Sequence, residues 1–177
     1  MKGVFISNNF FKPDIFENLY SDMDLIFDEK VNLIKNTTWT DSVVEYSKPI
    51  SIKPLNHNPE LYHSVKNTVY ELTGRHPNGI YYYFWGPGSY IPWHNDEIYS
   101  SAISIYMNKN WNFIDGGLFQ YYQNGKVETI IPEGNTAVMQ TGNVPHSTTI
   151  LSRHAPIRKS IQIWFEKDND IPLKSTI

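Results

Sequence analysis

Four residues, His94, Asp96, His146 and Arg158, could act together chemically. The first two lie in Pro92-Trp93-His94-Asn95-Asp96 and the third in Asn143-Val144-Pro145-His146-Ser147. The fourth opens Arg158-Lys159-Ser160-Ile161-Gln162-Ile163-Trp164-Phe165. Two imidazoles and one carboxylate can take one face of an octahedral metal and leave the opposite face open. That arrangement suits non-haem iron(II) and its chemistry with oxygen. Three histidines would instead favour a tetrahedral zinc with a single open position. In extended backbone, residues i and i+2 face the same way, so His94 and Asp96 project together while Asn95 points away. His-x-Asp alone is a common coincidence, and placement gives it weight here. The triplet follows Gly86-Pro87-Gly88, and His146 and Arg158 fall on strand-like segments near the end of the chain. His57, His63, His76 and His154 sit in helical or loop contexts and read as surface or structural.

The last strand-like segment makes the strongest case from residues alone. Alternation puts Arg158, Ser160, Gln162 and Trp164 on one face and Lys159, Ile161, Ile163 and Phe165 on the other. The second set is suited to packing against another layer. The first set points inward, where an unpaired guanidinium is costly unless an anion joins it. Arg158 and Ser160 could grip one carboxylate, the guanidinium supplying a charge-assisted fork and the hydroxyl a further donor. The alternative is a structural salt bridge to a protein carboxylate. In the segment 102–107, Ala102, Ser104 and Tyr106 share a face, and the Tyr106 phenol could bond the same anion or simply fill the core.

Elements of the right kind must hold these groups. The spacing predicts a short strand at 3–7 and a helix over 13–29, its core stripe formed by Ile15, Leu19, Met23, Leu25 and Ile26. A second helix is predicted over 59–73, stopped by Gly74, with 39–55 as loop or irregular strand. From Gly79 onward short β-rich runs recur at 80–85, 102–107, 118–123, 127–131, 136–140, 146–151 and 159–166, separated by Gly, Pro and Asn. Helices followed by many short strands predict a mainly β fold, an antiparallel double-sheet jelly roll buttressed on one side by two or three helices. The expected organisation is one domain over 1–177, with a support region at 1–78, a catalytic core at 79–166 and a polar tail at 167–177.

Composition bounds the function classes. The chain has 177 residues, 40% hydrophobic and 15% aromatic, which describes a globular protein. Fifteen basic against eighteen acidic side chains give a net charge of −3 with no basic stripe, so no nucleic-acid signature is present. With no cysteine, disulfides and thiolate metal sites are excluded. No segment approaches the roughly 18 apolar residues that span a bilayer. No signal-peptide pattern follows Met1, and the expectation is a soluble cytoplasmic protein. The aromatic run Tyr81-Tyr82-Tyr83-Phe84-Trp85 sends Tyr81, Tyr83 and Trp85 one way and Tyr82 and Phe84 the other, as expected for a strand buried on both faces.

Taken in order, these motifs resemble the iron(II)- and 2-oxoglutarate-dependent oxygenases, and within them the prolyl 4-hydroxylase-like group. Tyr106-Met107-Asn108-Lys109-Asn110-Trp111, then Asp115-Gly116-Gly117-Leu118, is similar to that group's Tyr-Leu-Asn-x-x-Trp segment with its following Gly-Gly. Gly86-Pro87-Gly88 before His94 and Asp96, Pro132-Glu133-Gly134-Asn135, His146 and Arg158-x-Ser160 complete the pattern over about 79–166. The resemblance implies iron ligation by His94, Asp96 and His146. It also implies binding of the distal carboxylate of 2-oxoglutarate by Arg158, with help from Tyr106 and Ser160. Tyr83 or Tyr81 is a candidate for a further co-substrate contact, and Trp164 and Trp93 are candidates to border the substrate. His146 and Arg158 stand further apart than is usual in the group, so 152–156 is expected to loop out. Segments 39–55 and 108–115 are candidate lids.

The implied reaction hydroxylates an unactivated C–H bond, consuming O2 and 2-oxoglutarate and releasing succinate and CO2, with ascorbate as a possible supporting reductant. The leading substrate is a peptidyl proline in a peptide or protein. The same chemistry on a free amino acid or other small molecule is the alternative, and a jelly-roll metal- or ligand-binding module without turnover is the non-enzymatic one. The sequence leaves the oligomeric state open.

Overall fold

The computed structural model describes residues 3–29, 34–35, 50–96, 99–141 and 143–166. In chain order the elements are β1 (Gly3–Asn8), α1 (Pro13–Glu29), β2 (Ile34–Lys35), β3 (Ser51–Pro54), α2 (Pro59–Thr73), β4 (Gly79–Trp85), β5 (Ile91–His94), β6 (Tyr99–Tyr106), β7 (Phe119–Gln123), β8 (Lys126–Ile130), β9 (Thr136–Thr141), β10 (His146–Thr148) and β11 (Arg158–Glu166). The described strands form two antiparallel sheets, a large one ordered β1-β9-β6-β11-β4-β3-β2 and a small one ordered β5-β10-β7-β8. Neighbours in each sheet are often distant in sequence because the chain crosses repeatedly between the two. This is the jelly roll that the strand spacing predicts.

Both helices cover the outer face of the large sheet. Asn58 caps α2, its side-chain oxygen accepting from the Leu61 N–H at 3.3 Å, and Pro59 fills the first turn, where its missing N–H costs nothing. Gly74 ends the helix in the left-handed conformation, φ 69°, and donates to the Tyr70 carbonyl. Leu61, Val65, Val69 and Thr73 recur every fourth residue and are buried. In α1 the buried stripe is Phe16, Leu19, Met23 and Ile26. Leu25, expected in that stripe, is 58% exposed. It lies two residues from Met23, about half a turn round the helix, and Phe16 completes the stripe instead. Against these helices the sheet packs Tyr82, Phe84, Ile103, Ile105, Ile161, Ile163 and Phe165.

The inner face of the large sheet meets the small sheet. Here Tyr106, Phe119 and Val138 form one apolar cluster. Tyr83, Trp85, Ile91, Trp111, Leu151 and Ala155 belong to another. Of the segment 39–55, residues 39–49 lie outside the described residues. Residues 51–54 form β3, which pairs with β4 from Ser51–Phe84 to Pro54–Tyr81 and makes the aromatic strand internal. Tyr82 and Phe84 are buried on one face and Tyr83 and Trp85 on the other, with Tyr81 only partly buried. The predicted strand at 146–151 ends at Thr148, and only an isolated bridge joins Leu151 to Gly116 beyond it. Residues 152–156 turn, with the Ala155 N–H donating to the Ser152 carbonyl. The tail at 167–177 lies outside the described residues, and no described helix is long and apolar enough to cross a membrane.

Candidate metal and anion site

Pairing of β5 with β10 places His94 opposite His146. The next recorded pair is Thr148 with Ile91, so β5 carries one more residue than β10 over this stretch. That bulge turns both Ile91 and His94 toward the interior, although strict alternation would separate them. Trp93 takes the opposite direction and is 47% exposed. Asp96 follows β5 and folds back toward both imidazoles. Its Oδ1 lies 3.6 Å from His94 Nε2, and its Oδ2 lies 3.4 Å from His146 Nε2. One ligand atom from each of the three residues falls within 4.8 Å of the others.

Local backbone sets the tautomer of both rings. His94 Nδ1 bonds the Pro92 carbonyl and His146 Nδ1 bonds the Val144 carbonyl, each at 2.8 Å. A carbonyl can only accept, so each Nδ1 carries the proton and each Nε2 keeps its lone pair toward Asp96. The Phe119 ring stacks on His146 with centroids 5.5 Å apart and holds its plane. Burial pulls the His146 pKa down to about 4. Burial, and then the neighbouring His146, lowers that of His94. Burial pushes the Asp96 carboxyl up to about 6, opposed by His94 and by the hydrogen bond from Gln140. Neutral imidazoles beside a buried carboxylate form a donor set whose charge a divalent cation would offset. The residues fit such an ion.

Arg158 begins β11, level with Trp85 of β4, and is 2% exposed. Its guanidinium carbon lies 4.6 Å from the Trp85 ring and 5.0 Å from the Tyr106 ring. Both Nε and Nη1 are buried with no hydrogen-bond partner among the described residues, as is the Tyr106 hydroxyl. Burial lowers the guanidinium pKa and raises that of the phenol, and each neighbour partly opposes the other's shift. Arginine nevertheless stays charged in proteins, so the unmet donors are suited to an anion. Gly117, at φ 61°, gives the arginine room. A Cβ there would approach Arg158 Cδ to 3.1 Å and Leu151 Cδ1 to 2.9 Å. Ser160 accepts from Trp85 Nε1 at 3.2 Å and retains its own hydroxyl hydrogen for donation.

One cleft is bordered by the triad, Arg158 and Ser160 together. Tyr83 lines it, whereas Tyr81 is partly buried against the edge of the cluster that holds Tyr83. Trp164 borders it and stacks on Tyr99 with centroids 4.3 Å apart. Trp93 does not reach it. Of the two candidate lids, 39–49 lies outside the described residues. In 108–115, Trp111 is buried and donates to the Gly116 carbonyl at 3.0 Å, while Phe113 and Ile114 are exposed.

Sequence reasoning missed Gln140. This residue is 8% exposed on β9, and its amide meets Asp96 and His146. The signal was present in the alternation of Thr136, Val138 and Gln140, which sets a polar side chain at one end of an inward-facing row, as on β11.

No family model matches the chain, and no curated protein matches it in sequence. Solved structures do match in fold. The chain is similar to a Pseudomonas putida prolyl-4-hydroxylase, with a TM-score of 0.69 and 16% identity, covering 96% of this chain and 95% of the other. It is also similar to a Trichoplax adhaerens prolyl hydroxylase in complex with a hypoxia-inducible-factor peptide fragment. There the TM-score is 0.75 and the identity 18%, over 94% and 84% of the two chains. HygX from Streptomyces hygroscopicus, with nickel and 2-oxoglutarate bound, matches with a TM-score of 0.65 and 9% identity, over 93% and 83%. Likeness at these identities establishes the shared fold.

Proposed function

We propose that this protein is an iron(II)- and 2-oxoglutarate-dependent dioxygenase that hydroxylates an unactivated C–H bond, with peptidyl proline as its substrate class. One observation carries the reading. A buried guanidinium with unmet donors opens on the same cleft as a two-histidine, one-carboxylate set. When bound, iron(II) and 2-oxoglutarate supply an oxidant for C–H bonds, consuming O2 and leaving succinate and CO2.

The chain's part is binding, orientation and exclusion of water. His94, Asp96 and His146 would hold the iron, their imidazoles locked by the bonds to Pro92 and Val144. Arg158 would pair with the distal carboxylate of 2-oxoglutarate, and the Tyr106 and Ser160 hydroxyls would add donors. The charges then sum to about zero, since the ion and Arg158 balance Asp96 and a dianion. Trp85 and Tyr83 wall that end of the cleft in apolar surface and strengthen the pairing. Trp164, with Tyr99 stacked behind it, borders the space left for substrate. Two of the similar structures are prolyl hydroxylases, one of them with a bound peptide, which supports a peptidyl substrate.

The test is succinate release by purified protein given Fe(II), ascorbate and 2-oxoglutarate, with and without proline-rich peptides or free amino acids. Peptide-dependent succinate, with one oxygen added to a prolyl residue, is the expected result. Turnover on a free amino acid alone would move the substrate to small molecules. Demonstrated metal binding with no succinate under any condition would leave a ligand-binding module.

A further inference from the structure

Gln140 is the polar side chain that the proposed reaction does not use and that stands nearest the metal ligands. It lies on β9, whose pairing with β6 sets it level with Ala102, and β6 in turn pairs Ala102 with Trp164 of β11. Ala102 is small, so the row Gln140–Ala102–Trp164 leaves the amide an open path to Asp96. The amide nitrogen Nε2 contacts Asp96 Oδ2 and lies 3.2 Å from His146 Nε2. Both neighbours are acceptors. One is a carboxylate oxygen, and the other is a ring nitrogen whose partner nitrogen already donates to Val144. An amide oxygen facing the same pair would meet only lone pairs, so the NH2 end is the one that fits. The other end, Oε1, is buried with no partner among the described residues, and once His146 Nε2 takes a metal the Asp96 contact is the one that holds the amide.

We infer that Gln140 is a positioning residue for the metal centre, its amide fixing the Asp96 carboxylate by occupying Oδ2 and leaving Oδ1 turned toward His94. A carboxylate on a short side chain can rotate and offer a cation one oxygen or both. A donor locked onto one oxygen removes that freedom and selects a single presentation. The inference rests on the metal-binding part of the proposed function and is independent of the substrate.

The experiment titrates cobalt(II) into the full chain and into Gln140→Met, reading the dissociation constant and the visible cobalt absorption. The latter reports coordination number and symmetry without any turnover. Wild-type protein binds cobalt. The methionine variant is expected to bind it about 10–100-fold more weakly, the usual cost of losing a partner of a ligand, and with an altered spectrum. Should that variant fail to fold, Gln140→Asn carries the same test, since it stays polar but withdraws the amide by one carbon. A folded variant with wild-type affinity and spectrum overturns the role of Gln140 and leaves the metal site standing. Failure of the wild-type protein itself to bind cobalt overturns the metal-binding reading and this inference with it.

Discussion

Arg158 and Lys159 are neighbours on β11, both buried, and the two faces of the large sheet treat them differently. Lys159, 8% exposed, points to the outer face and pairs with Asp24 of α1. Arg158, 2% exposed, points to the inner face, lies between the Trp85 and Tyr106 rings, and has no ion pair among the described residues. Around Lys159 the outer face is closed by helix side chains packed on Ile161, Ile163 and Phe165. Around Arg158 the inner face carries Ser160, Gln162 and Trp164 and opens on the cleft. Leaving one buried charge without its partner is destabilising by several kcal/mol. The outer face meets its charge within the chain, and the inner face holds a charge with no ion pair among the described residues.

The largest effect is expected at the proposed metal ligands. His94→Ala or Asp96→Ala should cut metal-dependent succinate formation by at least about 1000-fold, because even the hydrogen-bond partners of ligands are worth 10–100-fold. Either variant retaining activity near wild type would remove the triad from the site. Next comes Arg158→Met. This change should weaken 2-oxoglutarate binding by about 1.5–3 kcal/mol, the range for hydrogen bonds to charged groups, measured by calorimetry on the metal-loaded protein. The same change should leave the ligand-free protein as stable as before or more so, by up to about 3 kcal/mol, since it removes an unpaired buried charge. A lower melting temperature together with unchanged 2-oxoglutarate affinity would make Arg158 a structural residue like its neighbour.

Acidification should act through Asp96. Burial holds the Asp96 carboxyl near 6, above its ordinary value, so the charged form that would bind metal is lost as pH falls through about 6. The imidazoles are shifted the other way, His94 below its ordinary value and His146 to about 4, so His146 stays neutral where Asp96 takes up its proton. Metal affinity should be flat above about pH 6 and fall about tenfold per unit below it, as one proton displaces one ion. Stabilisation of the fold by metal should follow the same curve, present at neutral pH and lost on acidification. A midpoint near 4 would mean that the carboxylate is not the controlling group. The smallest effect belongs to Lys159→Met, whose partner Asp24 is 43% exposed. It should cost about 0.2–1 kcal/mol of stability and leave 2-oxoglutarate affinity untouched, whereas a loss of affinity would blur the distinction between the faces.

Much of the fold was legible because short-range rules govern it. The polar Asn58-Pro59 start and the Gly74 stop mark α2 in the sequence, and the alternation along β11 sorts Arg158 from Lys159 before any coordinates are known. The candidate site was legible in its residue types, since two imidazoles, a carboxylate and an inward arginine form a recognisable chemical set. Other features were hidden for identifiable reasons. Ile91 faces inward with His94, against simple alternation, because a bulge in β5 interrupts the period. Leu25 and Phe16 exchange places because the helix buries a narrow stripe, and only the sheet beneath decides which one.

The chain on its own determines which side chains can face together within a segment, because pleat and helical turn are properties of the local backbone. What it leaves open is which segments meet and in what register, as when His146 arrives opposite His94 and Gln140 falls level with Ala102 and Trp164. Those pairings join residues far apart along the chain, and moving any one by a single position would turn its side chains to the opposite face. Packing of the helices and sheets selects the register, and the register assembles the site.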